Sequence, residues 1–429
     1  MEDLEHTKDE SCDIIEESST SRGKCINEDN NATQSGTKYH VIKSDTSGYF
    51  GPYGVVFGAP SIRAQSIRPL PVRRLNTHLR YSDFNTGEWK SIIDTLQHEV
   101  QVCHPFETEE NLFTHFKTCQ KNPDHAGFIP IHDFNVRHIN ITKKVEELYT
   151  IIKIAADLTV RIAVTYTSTA RPKYVEGSVQ EYPCSNLRGT NCLRTGTGTI
   201  VGVSKFQDED KKTCHCKGCK VSDTPQTTWW SVGVMTATHM VFDDSEAESA
   251  TCRLFFDQAD SPVVTLDGWR MWDMSIKGDT CRFSCASHDM ELYEKVQRIF
   301  KSFLFYPNTF EEGVSFIVAH PHGCSKHVSL GKYKQKHIKH LHLHYNATKY
   351  SYEMSTCPGS SGAYVFTSEH LLVPHVHSGC KNGINYSGEG FQEKYSDLHR
   401  LKFHSTPPPP FPPPPPSPKI YKINNISQL

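Results

Sequence analysis

Cys357-Pro358-Gly359-Ser360-Ser361-Gly362-Ala363-Tyr364-Val365-Phe366 is the stretch from which the rest of this 429-residue chain is best read. A serine between glycines opens into an apolar, β-prone run, so its hydroxyl stands on a tight turn at the start of a strand. Such a hydroxyl is a weak nucleophile until a base takes its proton and donors meet the charge developing on the substrate oxygen. A candidate base closes a second apolar run, Val234-Met235-Thr236-Ala237-Thr238-His239.

Gly-x-Ser-Gly alone would also suit the nucleophile elbow of an α/β-hydrolase. There the chain order is serine, acid, histidine, whereas here the histidine comes first. The surroundings point the same way. Val145–Ala155 has the spacing of a helix, and the run from Leu158 to Val164 alternates as a strand does. Short strand-like runs follow at Gly198–Phe206, Trp229–Met235, Ser315–Ala319, Leu341–Tyr345, Ala363–Phe366 and Leu371–His377. Many short strands without alternating long helices predict an all-β fold, an antiparallel barrel or sandwich.

With those segments in view, the chain resembles the chymotrypsin/trypsin-like serine peptidases over roughly residues 150–395. The run ending Thr236-Ala237-Thr238-His239 resembles the family's Thr-Ala-Ala-His, and Gly359-Ser360-Ser361-Gly362 resembles its Gly-Asp-Ser-Gly-Gly. Ile317 to Gly323 is similar to the strand and turn ahead of the nucleophile in HtrA-type members. The resemblance implies two six-stranded antiparallel barrels and endopeptidase chemistry through an acyl-enzyme, on a protein or peptide substrate, with no catalytic cofactor. It assigns His239 as base, Ser361 as nucleophile, and the amides of Gly359 and Ser361 as the oxyanion hole. Cys285-Ala286-Ser287-His288-Asp289 resembles the acid segment, which makes Asp289 the expected third member; Asp273 and Asp279 are the alternatives. Ser360 stands where trypsin has the aspartate that pairs with a freed amino terminus. No Arg or Lys cut site precedes Ile200-Val201-Gly202-Val203, so that run is expected to be a barrel strand and the enzyme to need no such activation.

The same resemblance locates a specificity pocket at Ser355, His377 and Gly379. Ser355 lies where trypsin has its aspartate, so a preference for Lys or Arg is not expected. Val376-His377-Ser378-Gly379 resembles the His-x-Gly segment of glutamyl endopeptidases, which implies an acidic or amide side chain before the scissile bond. An apolar pocket with His377 facing the core is the competing expectation.

Two cysteine-rich segments suggest structural zinc. Cys214-His215-Cys216-Lys217-Gly218-Cys219 can place three thiolates around one tetrahedral ion, the fourth ligand being open among Cys184, Cys192 and His215. Upstream, Cys103, His115 and Cys119, followed by Lys121-Asn122, resemble the CHHC-type zinc fingers of gametocyte-specific factors and a minor-spliceosome protein. The inner histidine of that pattern is missing, with His104 or His125 as substitutes, and the second finger is degenerate. The resemblance implies RNA binding by a module at residues 85–140. His337, His340, His342 and His344 are expected on a solvated edge strand rather than at a metal.

Hydrophobic residues make up 37% of the chain, charged residues 22%, and the net charge is −2, which excludes a globally basic nucleic-acid binder. Residues 1–80 are acidic and polar, then basic, and read as disordered. The peptidase domain is expected at 150–400. Residues 401–429 form a proline-rich tail. Pro407–Pro418 must be a polyproline II rod, either an inert spacer or a ligand for SH3, EVH1 or profilin partners. No apolar run is long enough to cross a membrane and the first residues lack a secretory pattern, so an intracellular location, cytoplasmic or nuclear, is expected. The rival functions are an inactive peptidase-like scaffold and an RNA-associated factor recruiting partners through the finger and the tail.

Overall fold

A computed structural model describes residues 96–103, 107–207, 212–306, 311–342, 345–368 and 375–393. The acidic amino-terminal stretch, the basic linker, His104, His344 and the proline-rich tail lie outside them.

In chain order the elements are β1 (Gln97–His98), β2 (Gln101–Val102), α1 (Asn111–Lys117), β3 (Ile129–Pro130), α2 (Val145–Leu158), β4 (Thr159–Val164), β5 (Arg194–Phe206) and α3 (Lys217–Lys220). They continue with β6 (Trp229–Thr236), α4 (Asp244–Ser249), β7 (Ala250–Leu254), β8 (Val264–Ser275), β9 (Thr280–Ser287) and α5 (Met290–Phe305). The last group is β10 (Val314–Ala319), β11 (His327–His342), β12 (Tyr345–Tyr352), β13 (Val365–Thr367), β14 (His377–Lys381), β15 (Ile384–Ser387) and β16 (Gly390–Glu393).

The fold is all-β in its framework, with two antiparallel barrels. The first closes on itself as β4–β5–β6–β9–β8–β7, with β7 returning to β4. In the second, β10–β11–β12–β15–β14 form a continuous sheet and β13 pairs with β10. A bridge between Tyr364 and Val376 and a bond from Val365 N to His375 O of 2.6 Å bring β13 against the start of β14 and close it. Closure removes open edges, which is how such sheets avoid pairing with other chains.

The expected helix runs three residues longer than its periodicity suggested. Its buried face, Leu148, Ile151, Ile152, Ala155 and Ala156, follows the i, i+3, i+4, i+7 spacing of a one-sided helix. That face joins a core that includes Val160, Ile162, Ile200, Val234, Phe283, Phe316 and Phe366, drawn from both barrels. Ile200 is therefore a core residue of β5, as expected of a strand and not of a freed terminus. Of Leu341–Tyr345, read as a short strand, Leu341 and His342 end β11 and Tyr345 begins β12, which pairs with it, while residues 343 and 344 lie outside the described residues. His337 on β11 is buried and bonds Ser351 Oγ at 3.2 Å rather than facing solvent.

The upstream Cys/His segment is built into both barrels. β1 pairs with β14, β2 with β5, and β3 with β11.

Candidate functional site

The site forms at the seam between the barrels. β6 ends at Thr236 and delivers His239, which is fully buried. The loop between β12 and β13 carries Ser361 from the other side. Ser361 Oγ donates to His239 Nε2 at 2.8 Å, and His239 Nδ1 donates to both oxygens of Asp279 at 2.8 Å. Asp279 also accepts from His239 N at 3.1 Å and from the hydroxyl of Ser378. Burial alone would raise its carboxyl. The His239 charge and the hydrogen bonds from His239 and Ser378 outweigh that and hold it at about 2. The arrangement is a hydroxyl, an imidazole and an ionised carboxylate in line.

Asp279, not Asp289, occupies the third position. Asp289 caps α5, accepting from Leu292 N at 3.0 Å on the exposed side of the first barrel. The residues after it form a helix where alternation suggested a strand, and that removes Asp289 from the seam. Asp273 pairs with Arg282 on the surface. Asp279 stands in the turn between β8 and β9 with φ of +49°, a left-handed conformation that Asp tolerates better than most residues. Gly278-Asp279 was a legible turn signal, but nothing in the sequence said which hairpin tip meets the histidine.

The nucleophile loop is braced from the first barrel. Thr197 N donates to Ser361 O at 2.9 Å, and Thr197 Oγ1 donates to Gly359 O at 2.8 Å. Ser360 Oγ accepts from Cys357 N at 3.1 Å, so the position of trypsin's aspartate is used here to close the loop on itself. Gly359 has φ of +94°, and a Cβ there would meet His320 O at 2.5 Å. Its amide points at the carbonyl of Glu99, at 2.7 Å. Gly362 has φ of +83°, and Thr236 Oγ1 would lie 1.9 Å from a Cβ there, so only glycine fits.

His377 is fully buried on β14. Tyr352 donates its hydroxyl to His377 Nδ1 at 2.6 Å, so the imidazole presents Nε2–H, which donates to Glu99 Oε2 at 2.7 Å. Burial lowers the His377 pKa, which favours the neutral ring, while the Tyr352 hydroxyl at Nδ1 sets the tautomer. Lys121 pairs with the other oxygen of Glu99 and reaches Thr356 Oγ1 at 2.9 Å. The Glu99 carboxyl, though buried, is held down at about 2 by His377 and then Lys121. Lys121 is the pocket residue that the sequence reading missed: it was noted only as part of a finger ending. Ser355 does not reach Glu99; it packs against Gly127 so tightly that a Cβ at Gly127 would lie 2.0 Å from its hydroxyl.

Two tetrads of metal-ligand type are assembled. Cys214, Cys216 and Cys219 are joined by His288, whose Nδ1 lies 3.6 and 3.5 Å from the Cys216 and Cys219 sulfurs. None of the three expected fourth ligands takes part; His215 stacks on Trp269 at 4.1 Å instead. In the second, Cys119 and His125 meet His322 and Cys357. Cys119 and Cys357 sulfurs are 3.5 Å apart, far beyond a disulfide and near the spacing of about 3.8 Å that two thiolates adopt on one tetrahedral zinc. His322 Nδ1 donates to Gln101 Oε1 at 2.8 Å, and its buried Nε2 has no hydrogen-bond partner, as a ligand nitrogen requires. Cys103 and His115 are not in this group. Cys103 O accepts from Cys192 Sγ at 3.0 Å, and His115 bonds Glu107 at 2.9 Å.

Among the described residues no helix is long and apolar enough to cross a membrane. No family model and no curated protein matches the chain. Among solved structures it is similar to an Rv3671c protease in its inactive form, at 9% identity over 58% of this chain and 90% of that one, TM-score 0.30. The active form of the Rv3671c protease from M. tuberculosis matches at 10% over 62% and 89%, TM-score 0.30. The HtrA-type protease AlgW with decapeptide matches at 11% over 56% of this chain and 62% of that one, TM-score 0.29, so this chain spans about three fifths of AlgW. Likenesses this slight carry no weight for function, and the two barrels and their seam stand on their own strand order and geometry.

Proposed function

We propose that the chain is a serine endopeptidase that cleaves after acidic residues. One observation carries this reading: an uninterrupted line from Asp279 through His239 to Ser361 at 2.8 Å steps, with the Gly359 amide 2.7 Å from a peptide carbonyl. Ser361 attacks the carbonyl carbon while His239 takes its proton. Asp279 keeps His239 in the tautomer that accepts at Nε2 and stabilises the cation that forms. The Gly359 amide receives the oxyanion. His239 then protonates the leaving amine, and water repeats the sequence on the acyl-enzyme. His377 and Lys121 supply a neutral donor and a cation for a side-chain carboxylate before the scissile bond. A scaffold that had lost catalysis would have no need of a buried, ionised Asp279 or a nucleophile braced from both barrels.

Zinc in the two Cys/His tetrads would serve structure. One would pin the Cys214–Cys219 loop to the end of β9. The other would tie the segment after α1 to the turn after β10 and to the nucleophile loop. Lys121 and Asn122 face the pocket, and Asn122 donates to Thr356 O at 2.8 Å, so this segment is read as part of the peptidase and not as an RNA-binding module.

A serine-directed fluorophosphonate should label the wild-type chain and not Ser361→Ala. Ser361→Ala should lower kcat for an acidic-P1 peptide by about 10⁴-fold or more. Equal labelling of both chains would refute the assignment.

A further inference from the structure

Residues 97–102 lie across the seam as an extended strand, with backbone relations of the kind a bound substrate makes on both sides of Glu99. On one side of Glu99, β1 pairs antiparallel with β14, with Gln97 opposite Cys380 and His98 opposite Gly379. The approach is close enough that a Cβ at Gly379 would lie 2.3 Å from Gln97 O, so glycine is required there. On the other side, β2 pairs with β5 of the first barrel, with Gln101 opposite Thr195 and Val102 opposite Arg194. Between the two ladders the Glu99 carbonyl accepts from the Gly359 amide at 2.7 Å, and Glu99 N is 3.1 Å from Ser361 Oγ. The Glu99 side chain fills the pocket of His377 and Lys121. The His98 ring lies 4.4 Å from that of His239.

From this geometry we infer that the protein is its own substrate and cuts itself between Glu99 and Val100. The inference rests on the peptidase reading and adds the bond on which it acts. Ser361 Oγ forms an ester with the Glu99 carbonyl carbon as the Glu99–Val100 C–N bond breaks. The hydroxyl proton passes through His239 to the Val100 nitrogen, which leaves as an amine. One water then hydrolyses the ester, leaving the Glu99 α-carboxylate and regenerating the Ser361 hydroxyl. A tethered bond already held at the nucleophile reacts as a unimolecular system, free of the cost of bringing two molecules together. The cut separates residues 1–99 from 100–429. Among the described residues the amino-terminal product keeps the β1–β14 ladder, the Glu99 side chain, the bond between His98 Nδ1 and Ser378 O at 3.0 Å and that from Gln180 Nε2 to Leu96 O at 2.9 Å, and its departure opens the site to other acidic peptides.

The test uses the full chain, followed by intact mass and amino-terminal sequencing from synthesis onward. The wild type should yield fragments 1–99 and 100–429 with Val100 as the new terminus, and Ser361→Ala should remain whole. The rate should be first order and independent of protein concentration. Glu99→Lys sets a cation against Lys121, and should slow the cut by about 100-fold or more, since like charges forced together cost several kcal/mol. A chain that labels with fluorophosphonate and hydrolyses acidic-P1 peptides, yet stays intact, would overturn self-cleavage and leave the peptidase reading standing. The segment would then be an inhibitory strand. A chain that neither labels nor cuts would overturn both. A cut elsewhere, a cut retained in Ser361→Ala, or an unchanged rate in Glu99→Lys would also overturn the inference.

Discussion

Two aspartates ten positions apart have opposite physical roles, and they can be separated by measurement. Asp279 is buried and bonded to His239, whereas Asp289 is exposed and caps a helix. Asp279→Asn should keep the fold but lose about 10⁴-fold in kcat, because an amide can hold the imidazole in the wrong tautomer. Asp289→Ala should leave kcat unchanged and cost about 1 kcal/mol of stability, read as a small fall in Tm. The reverse outcome would restore Asp289 as the acid. His239 and Ser361 were legible because each ends or opens an apolar run in a recognisable local pattern. Asp279 was one of three candidates because a catalytic acid has no local signature: its role comes from what it touches. In the pocket, Tyr352→Phe removes the hydroxyl that sets the His377 tautomer. KM for acidic-P1 peptides should rise by about 5- to 10-fold with kcat less affected, an effect of about 1 kcal/mol. An unchanged KM would show that His377 needs no such orientation.

At the scale of elements, the two Cys/His tetrads join segments that secondary structure alone leaves loosely tied. α3 is only four residues long, and such a helix has little stability without packing or a ligand. Elemental analysis of the full-length Ser361→Ala chain should find about two equivalents of zinc. His288→Ala and His322→Ala should each lose about one, with a fall in Tm. His215→Ala and His115→Ala should retain both. A chain without zinc, or one that keeps both equivalents in His322→Ala, would reject the second site. The first set was half legible, since Cys-x-Cys-x-x-Cys announces itself, but His288 arrives from the end of β9. In the second, local spacing suggested Cys103 and His115, which lie close in sequence, while the assembled ligands come from three segments as far apart as Cys119 and Cys357. Short-range motifs register neighbours along the chain, and a tertiary site is made of neighbours across it.

For the molecule as a whole, acid should be destabilising in a defined window. The carboxyls of Glu99 and Asp279 sit at about 2 in the folded state, and that of Glu246 is lowered by Arg171 and Arg194 despite its burial. Folded values below the ordinary range near 4 mean that these groups stabilise the fold above about pH 4. That contribution is lost as pH falls from about 4 to about 2, on the order of 3 kcal/mol for Glu99 and about 2 kcal/mol for Asp279. Melts of Ser361→Ala from pH 6 to 2 should show this fall. Glu246→Ala should cost about 3–5 kcal/mol at neutral pH by leaving buried Arg171 and Arg194 without their carboxylate. A melting temperature that is flat across that range would contradict the assignment. By itself the sequence pointed to the all-β class, to five of the sixteen described strands (β4, β5, β6, β10 and β13), to the helix before β4, and to His239 and Ser361, and it left His377 open between reading an acid and facing the core. These follow from apolar periodicity and from turn residues, which act over a few positions. The tertiary structure alone brought Asp279 to His239 in place of Asp289, brought His288 to the three cysteines, and laid the start of the supposed finger module as strands along the seam between the barrels. Those outcomes depend on which loops two closed barrels bring face to face, and that proximity is set by strand order and register, which no short stretch of sequence encodes.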